Sequence, residues 1–185
     1  MLRSSAQAGD AILVTGYPGQ AAAGLKLLQK AKSNEKLGAH PLVQAYNVPS
    51  HRAWEGHAIA RSRKAHAMID TSDGFLADLD HICQESDVGA LLIQDAFPVS
   101  NELKMAAVQL DMDPYQLFLQ ESDDYELIVT CSPENAPHIH SAIKDVSQIP
   151  VHEVGKITET AKEIQLKLPD GTKCPISPHG WDHFR

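Results

Sequence analysis

The sequence predicts an α+β (mixed α/β) fold, a mixed β-sheet covered by helices. Three observations carry this. Short apolar, β-branched runs alternate with longer segments of helical period. Hydrophobic residues make up 43% of the chain and charged residues 22%, an ordinary balance for a chain able to bury a real core. No internal repeat or low-complexity stretch interrupts the alternation, so residues 1–185 are expected to form a single domain.

The first strand is Ala11 to Thr15, closed by the tight turn Gly16-Tyr17-Pro18-Gly19. A helix over Gln20 to Lys32 follows, with the small residues Ala21, Ala22, Ala23 and Gly24 on a face suited to close packing. Residues Ser33 to Ser50 read as a loop, and Arg52 to Lys64 as a helix leading into a strand at Ala67 to Ile69. Phe75, Leu76, Leu79 and Ile82 recur at helical spacing and place a helix over Gly74 to Glu85. A strand at Val88 to Ile93, a helix at Asn101 to Leu110 and a short helix at Pro114 to Leu119 come next. Strand Tyr125 to Cys131 and helix Pro133 to Lys144 form a further unit, and Val151 to Ile157 and Ile164 to Leu168 are the last strands. The turn Pro169-Asp170-Gly171-Thr172 ends the second of these, and the tail from Pro178, with Trp181 and Phe184, is expected to dock onto the domain.

Composition excludes several classes. Sixteen Lys and Arg against 24 Asp and Glu give a net charge of −8, and aromatic residues are 5%, so no nucleic-acid partner is expected. No run reaches the roughly 18 apolar residues a membrane span needs, and Met1 to Ser5 lead into no signal region, so a cytoplasmic protein without a membrane partner is expected. Cys83, Cys131 and Cys174 are odd in number and never paired as Cys-x-x-Cys, which indicates ordinary reduced thiols. The ten histidines show no metalloprotease spacing.

Chemistry concentrates in Ala67-Met68-Ile69-Asp70-Thr71-Ser72-Asp73-Gly74-Phe75. Asp70, Ser72 and Asp73 stand where a strand gives way to a helix, and two hard oxygen ligands beside a helix N-terminus suit Mg²⁺ and phosphate. The same residues also serve as an N-cap and a solvated turn aspartate, so both readings stand. An EF-hand is excluded, because Gly74 is fifth from Asp70 and His81 occupies position twelve. Gly19-Gln20-Ala21-Ala22-Ala23-Gly24 has the two glycines of a phosphate loop, but Leu25-Lys26 replaces the required Lys-Ser/Thr. Its amides could face an anion, and helix packing explains the glycines as well. A second acidic block, Glu121-Ser122-Asp123-Asp124-Tyr125-Glu126-Leu127, is either a solvated turn or a pocket wall facing the Asp70 turn.

Four blocks in order resemble a known family. They are Leu2 to Asp10 running into Val14 to Leu25; Met68 to Gly74 with Asp78-Leu79 and His81-Ile82; Asp123-Asp124-Tyr125-Glu126-Leu127; and Gly180-Trp181-Asp182-His183-Phe184. Together they resemble the C-terminal half of thiamine-monophosphate kinase, in the superfamily of aminoimidazole ribonucleotide synthetase. The resemblance implies transfer of the γ-phosphoryl of ATP to thiamine monophosphate, a small-molecule substrate, with Mg²⁺ holding both phosphate chains. It also implies Asp70 and Asp73 as catalytic Mg²⁺ ligands, Arg3 and Ser72 as ATP contacts, and Asp123 and Trp181 as substrate contacts.

Where the family has Gly-Gly before the second block, this sequence has Glu121-Ser122, adding side chains and a negative charge near a phosphate. The family's N-terminal half would precede Arg3 and carries further metal ligands and the dimer core. An N-terminal partner half, a possible homodimer, and a chain silent by itself are therefore expected. A non-catalytic binding module and a sister enzyme with another substrate are the alternatives.

Overall fold

The run Ala-Ile-Leu-Val-Thr becomes β1 (Ala11–Thr15), and all of its residues are buried. Its side chains divide by the strand's period of two: Ile12 and Val14 join one core cluster, and Ala11 and Leu13 another. A strand covered on both faces has to be central. The computed structural model describes residues 2–31 and 37–177, and within them β1 is third in a seven-stranded sheet of order β2-β4-β1-β5-β3-β6-β7. The other strands are β2 (Ala67–Asp70), β3 (Gly89–Ile93), β4 (Leu127–Cys131), β5 (Val151–Thr158), β6 (Ile164–Lys167) and β7 (Lys173–Ile176). The β3–β6 pair is parallel and the others are antiparallel, so the sheet is mixed as expected.

Helices cover both faces. On one, α4 (Phe75–Ser86) presents Phe75, Leu79, Ile82 and Cys83, and α6 (Pro114–Leu119) adds Phe118, whose ring lies 4.7 Å from Phe75 and 4.4 Å from Phe97. On the other, α3 (Ala53–Ser62) contributes Ile59, and α7 (Ala136–Lys144) contributes Ile139 and Ile143. A third cluster is purely helical and joins α1 (Gln20–Lys30) and α2 (Pro41–Asn47) to α5 (Asn101–Leu110) through Leu27, Leu42, Val43 and Leu103.

Two elements differ from expectation. The expected loop contains α2, a seven-residue helix with Pro41 in its first turn and His40 Nδ1 accepting the Leu42 N–H at 3.3 Å. It buries only Leu42 and Val43, too few for a periodic signal. Strand β7 was hidden by Pro175, which is tolerated because β7 is the edge of the sheet. The strand expected from Tyr125 starts at Leu127, since Tyr125 has φ of 55°. The tail from Pro178, with Trp181, lies outside the described residues.

Among the described residues no helix is long and apolar enough to cross a membrane. Burial pushes the Cys83 thiol up to about 12 and the Cys131 thiol up to about 11. We expect a disulfide reagent at pH 8 to label Cys174 in the folded chain and to reach the other two only after unfolding. Fast labelling of Cys83 or Cys131 in the native protein would contradict their burial.

Candidate active site

Strand direction alone gathers the candidate residues. Because β4 runs antiparallel to both β1 and β2, the C-terminal ends of β1 and β2 lie at the same sheet edge as the N-terminal entry to β4. The glycine turn after β1, the Asp-x-Ser-Asp-Gly turn after β2 and the acidic segment before β4 are thus neighbours.

Thr71 ties two of these loops together. Its backbone N–H donates to Glu126 O at 2.7 Å, its carbonyl accepts from Tyr125 N at 3.0 Å, and its hydroxyl oxygen accepts from Glu126 N at 2.9 Å. Gly74 closes the contact. At φ of 115° it sits where a Cβ would be 2.7 Å from Gln120 O and 3.0 Å from Ser122 N, so only glycine brings the α4 N-terminus this near.

The glycine turn is held by the acidic segment. Asp124 Oδ2 accepts from Gly19 N at 2.6 Å, Asp124 Oδ1 from Ala21 N at 2.8 Å, and Ser122 Oγ from Ala22 N at 3.1 Å. The amides at the start of α1 therefore face a carboxylate of the chain itself. Burial pushes the Asp124 carboxyl up, while the Ala21 N–H, the Ser122 hydroxyl and the Gly19 N–H pull it back down.

Behind this wall lies a buried ion pair. Arg52 donates through Nε to Glu126 Oε2 at 2.7 Å and through Nη2 to Glu126 Oε1 at 2.6 Å, and Thr15 Oγ1 donates to Oε2 at 2.6 Å. Gly16 leaves room for that carboxylate, because a Cβ there would collide with Glu126 Oε1.

These contacts frame a cleft of about 550 Å³ lined by Ala21, Ala22, Leu25 and Ala77 as an apolar floor, by Tyr46, and by Ser72, Asp73, Glu121, Ser122 and Asp123. Of the sequence-predicted residues, Ser72, Asp73 and Asp123 meet in this cleft. Asp70 ends β2, exposed, beyond the cleft lining. Arg3 lies elsewhere: its carbonyl accepts from Ser86 Oγ at 3.0 Å, at the opposite end of α4 from Asp73. Trp181 is not among the described residues.

The donor set fits a hard divalent ion. Asp73, Asp78 and His81 bring ligand atoms within 4.8 Å of one another. Asp78 Oδ2 is committed to the Asp73 and Gly74 amides, at 2.9 and 3.1 Å, which leaves the exposed Asp73 carboxylate as the available hard donor of this group, with Asp70 outside it at the end of β2. One or two carboxylates with waters and phosphate oxygens is the usual Mg²⁺ shell. Burial pushes the Asp78 carboxyl up against the pull of its two amide donors.

Sequence reasoning did not single out Thr71, Arg52 or the inward role of Asp124. No local signal marks them, because the division of Glu121 to Glu126 into exposed and buried residues arises only in the folded chain.

The family model described as AIR synthase related protein, C-terminal domain, matches residues 7–167. The chain belongs to this family. As an AIR synthase related C-terminal domain, it is 35% identical over 183 residues to thiamine-monophosphate kinase of Salmonella typhimurium, covering 98% of this chain and 54% of that one. The crystal structure of thiamine-monophosphate kinase from Stenotrophomonas maltophilia K279a superposes with a TM-score of 0.78 at 30% identity, over 92% of this chain and 53% of that chain. The structure of AaThiL complexed with AMPPCP and TMP gives 0.77 at 30% identity, over 98% and 53%. The domain thus has the fold of the C-terminal part of these proteins, and spans about half the length of the curated relatives it matches.

Proposed function

We propose that this chain is the C-terminal domain of an ATP- and Mg²⁺-dependent kinase that converts thiamine monophosphate to thiamine diphosphate. The observation that carries the reading is the shared cleft, where Ser72 and Asp73 face Glu121 and Asp123 in a domain of this family. Among the described residues no lysine, arginine or histidine lines that cleft, and its acidic lining favours phosphates that arrive with bound metal.

In this reading Asp70 and Asp73 hold Mg²⁺, which when bound neutralises charge on the phosphates and helps to align them. A phosphate oxygen of thiamine monophosphate attacks the γ-phosphorus of ATP, the bond from that phosphorus to the β–γ bridging oxygen breaks, and ADP leaves. Ser72, at the turn before α4, holds the nucleotide's phosphate end, and Arg3, at the opposite end of that helix, contacts a part of the nucleotide away from it. Asp123 contacts the organic part of the acceptor against the Tyr46 wall, and Trp181 adds an aromatic contact. The partner is an N-terminal half equivalent to the remaining length of the relatives, and the exposed apolar side chains Leu2, Val48 and Trp54 offer surface for it.

The test is phosphoryl transfer from γ-labelled ATP to thiamine monophosphate. Thiamine diphosphate is expected when the chain is supplied with the N-terminal half of a relative, and none from the 185-residue chain alone. Absence of product from the complemented protein, with a wild-type relative active in parallel, would overturn the assignment.

A further inference from the structure

In the segment Glu121 to Glu126 the side chains Glu121, Asp123 and Tyr125 are exposed, while Ser122 and Glu126 are buried and the Asp124 carboxylate is turned onto the start of α1. The inward side chains have fixed partners. Ser122 and Asp124 together take three backbone N–H groups at the start of α1, and Glu126 takes Arg52 and Thr15. Ser122 and Asp124 thus anchor the chain on either side of Asp123, which lines the cleft together with Glu121 and Ser122.

We propose that Asp124, seconded by Ser122, is a positioning residue that presets the Asp123 carboxylate in the cleft before any ligand arrives. This rests on the kinase reading only in naming what Asp123 then meets. The helix-start amides act as an internal template: they bind a carboxylate of the chain, and the neighbouring carboxylate is thereby aimed. Ordering Asp123 in advance removes a cost that binding would otherwise carry.

The experiment has two readouts, the first on the full 185-residue chain. The first is the χ1 rotamer distribution of Asp123 from NMR scalar couplings, in wild type, Asp124→Asn and Ser122→Ala. The asparagine keeps one acceptor and turns an amide N–H₂ toward a backbone N–H, which releases the anchor. One rotamer is expected in wild type and averaging in Asp124→Asn. Averaging already in wild type, or an unchanged single rotamer in Asp124→Asn, would overturn the proposal, and Ser122→Ala, which loses one bond, serves where Asp124→Asn fails to fold.

The second readout, on the chain supplied with the N-terminal half of a relative, is a double-mutant cycle on the dissociation constant of thiamine monophosphate with Mg²⁺. Asp124→Asn is expected to weaken binding about 10-fold when Asp123 is present and less than about 2-fold in an Asp123→Asn background. Equal losses in both backgrounds would mean a general structural effect and would overturn it. If the complemented wild type binds no thiamine monophosphate, the kinase reading fails, and the Asp123 rotamers still decide the positioning.

Discussion

We expect Glu126→Ala to cost about 3–5 kcal/mol of folding stability, the range for removing one partner of a buried ion pair. The Arg52 side chain is 14% exposed and the Glu126 side chain 7%, so the guanidinium left behind is poorly hydrated. Thr15 Oγ1 loses its acceptor in the same step and is itself fully buried. The loss comes from stranding one charge, not from the net value of the pair, so the double variant Arg52→Met with Glu126→Leu should recover much of it. Urea unfolding midpoints of wild type, both single variants and the double variant measure this. A loss below about 1 kcal/mol for Glu126→Ala, as for an exposed pair, would show the network to be solvent-screened.

The second large effect is on phosphoryl transfer. Asp70→Asn together with Asp73→Asn should reduce transfer by the complemented enzyme at least about 100-fold at low Mg²⁺. A carboxylate and a dication at about 4 Å, in an effective dielectric near 20, attract on the order of 8 kcal/mol, of which desolvation offsets most. A net remainder of about 2–3 kcal/mol corresponds to roughly 100-fold. Both aspartates are exposed, so the double variant should unfold near the wild-type midpoint, and raised Mg²⁺ should restore part of the rate. Full activity at low Mg²⁺ would remove both residues from the metal site.

The two effects separate because the ion pair lies behind the wall, whereas Asp73 stands in the cleft and Asp70 is exposed at the end of β2. Arg52 and Glu126 are 74 positions apart, and no pattern in either neighbourhood marks them as partners. The acidic run Glu121 to Glu126 was visible as charge, but its division into cleft-facing and inward side chains depends on α1 lying beneath it. The phosphate-loop resemblance of Gly19 to Gly24 illustrates the limit: the turn and helix form as expected, yet Asp124 takes the amides that a free anion would have used.

Local pattern determined the α+β class, twelve of the fourteen helices and strands named above, and the two acidic blocks, because period, turn residues and side-chain chemistry are properties of adjacent positions. Tertiary structure alone decided that those blocks face each other. The antiparallel pairing of β2 with β4 carries Asp73 to Glu121 and Asp123 across the sequence, and Gly74 lets the backbones touch. It also decided α2, whose two buried residues gain their hydrophobic contacts only against α1 and α5, and β7, whose proline is permitted only by an edge. In each case the deciding free energy comes from contacts between residues distant in sequence, which no local window contains.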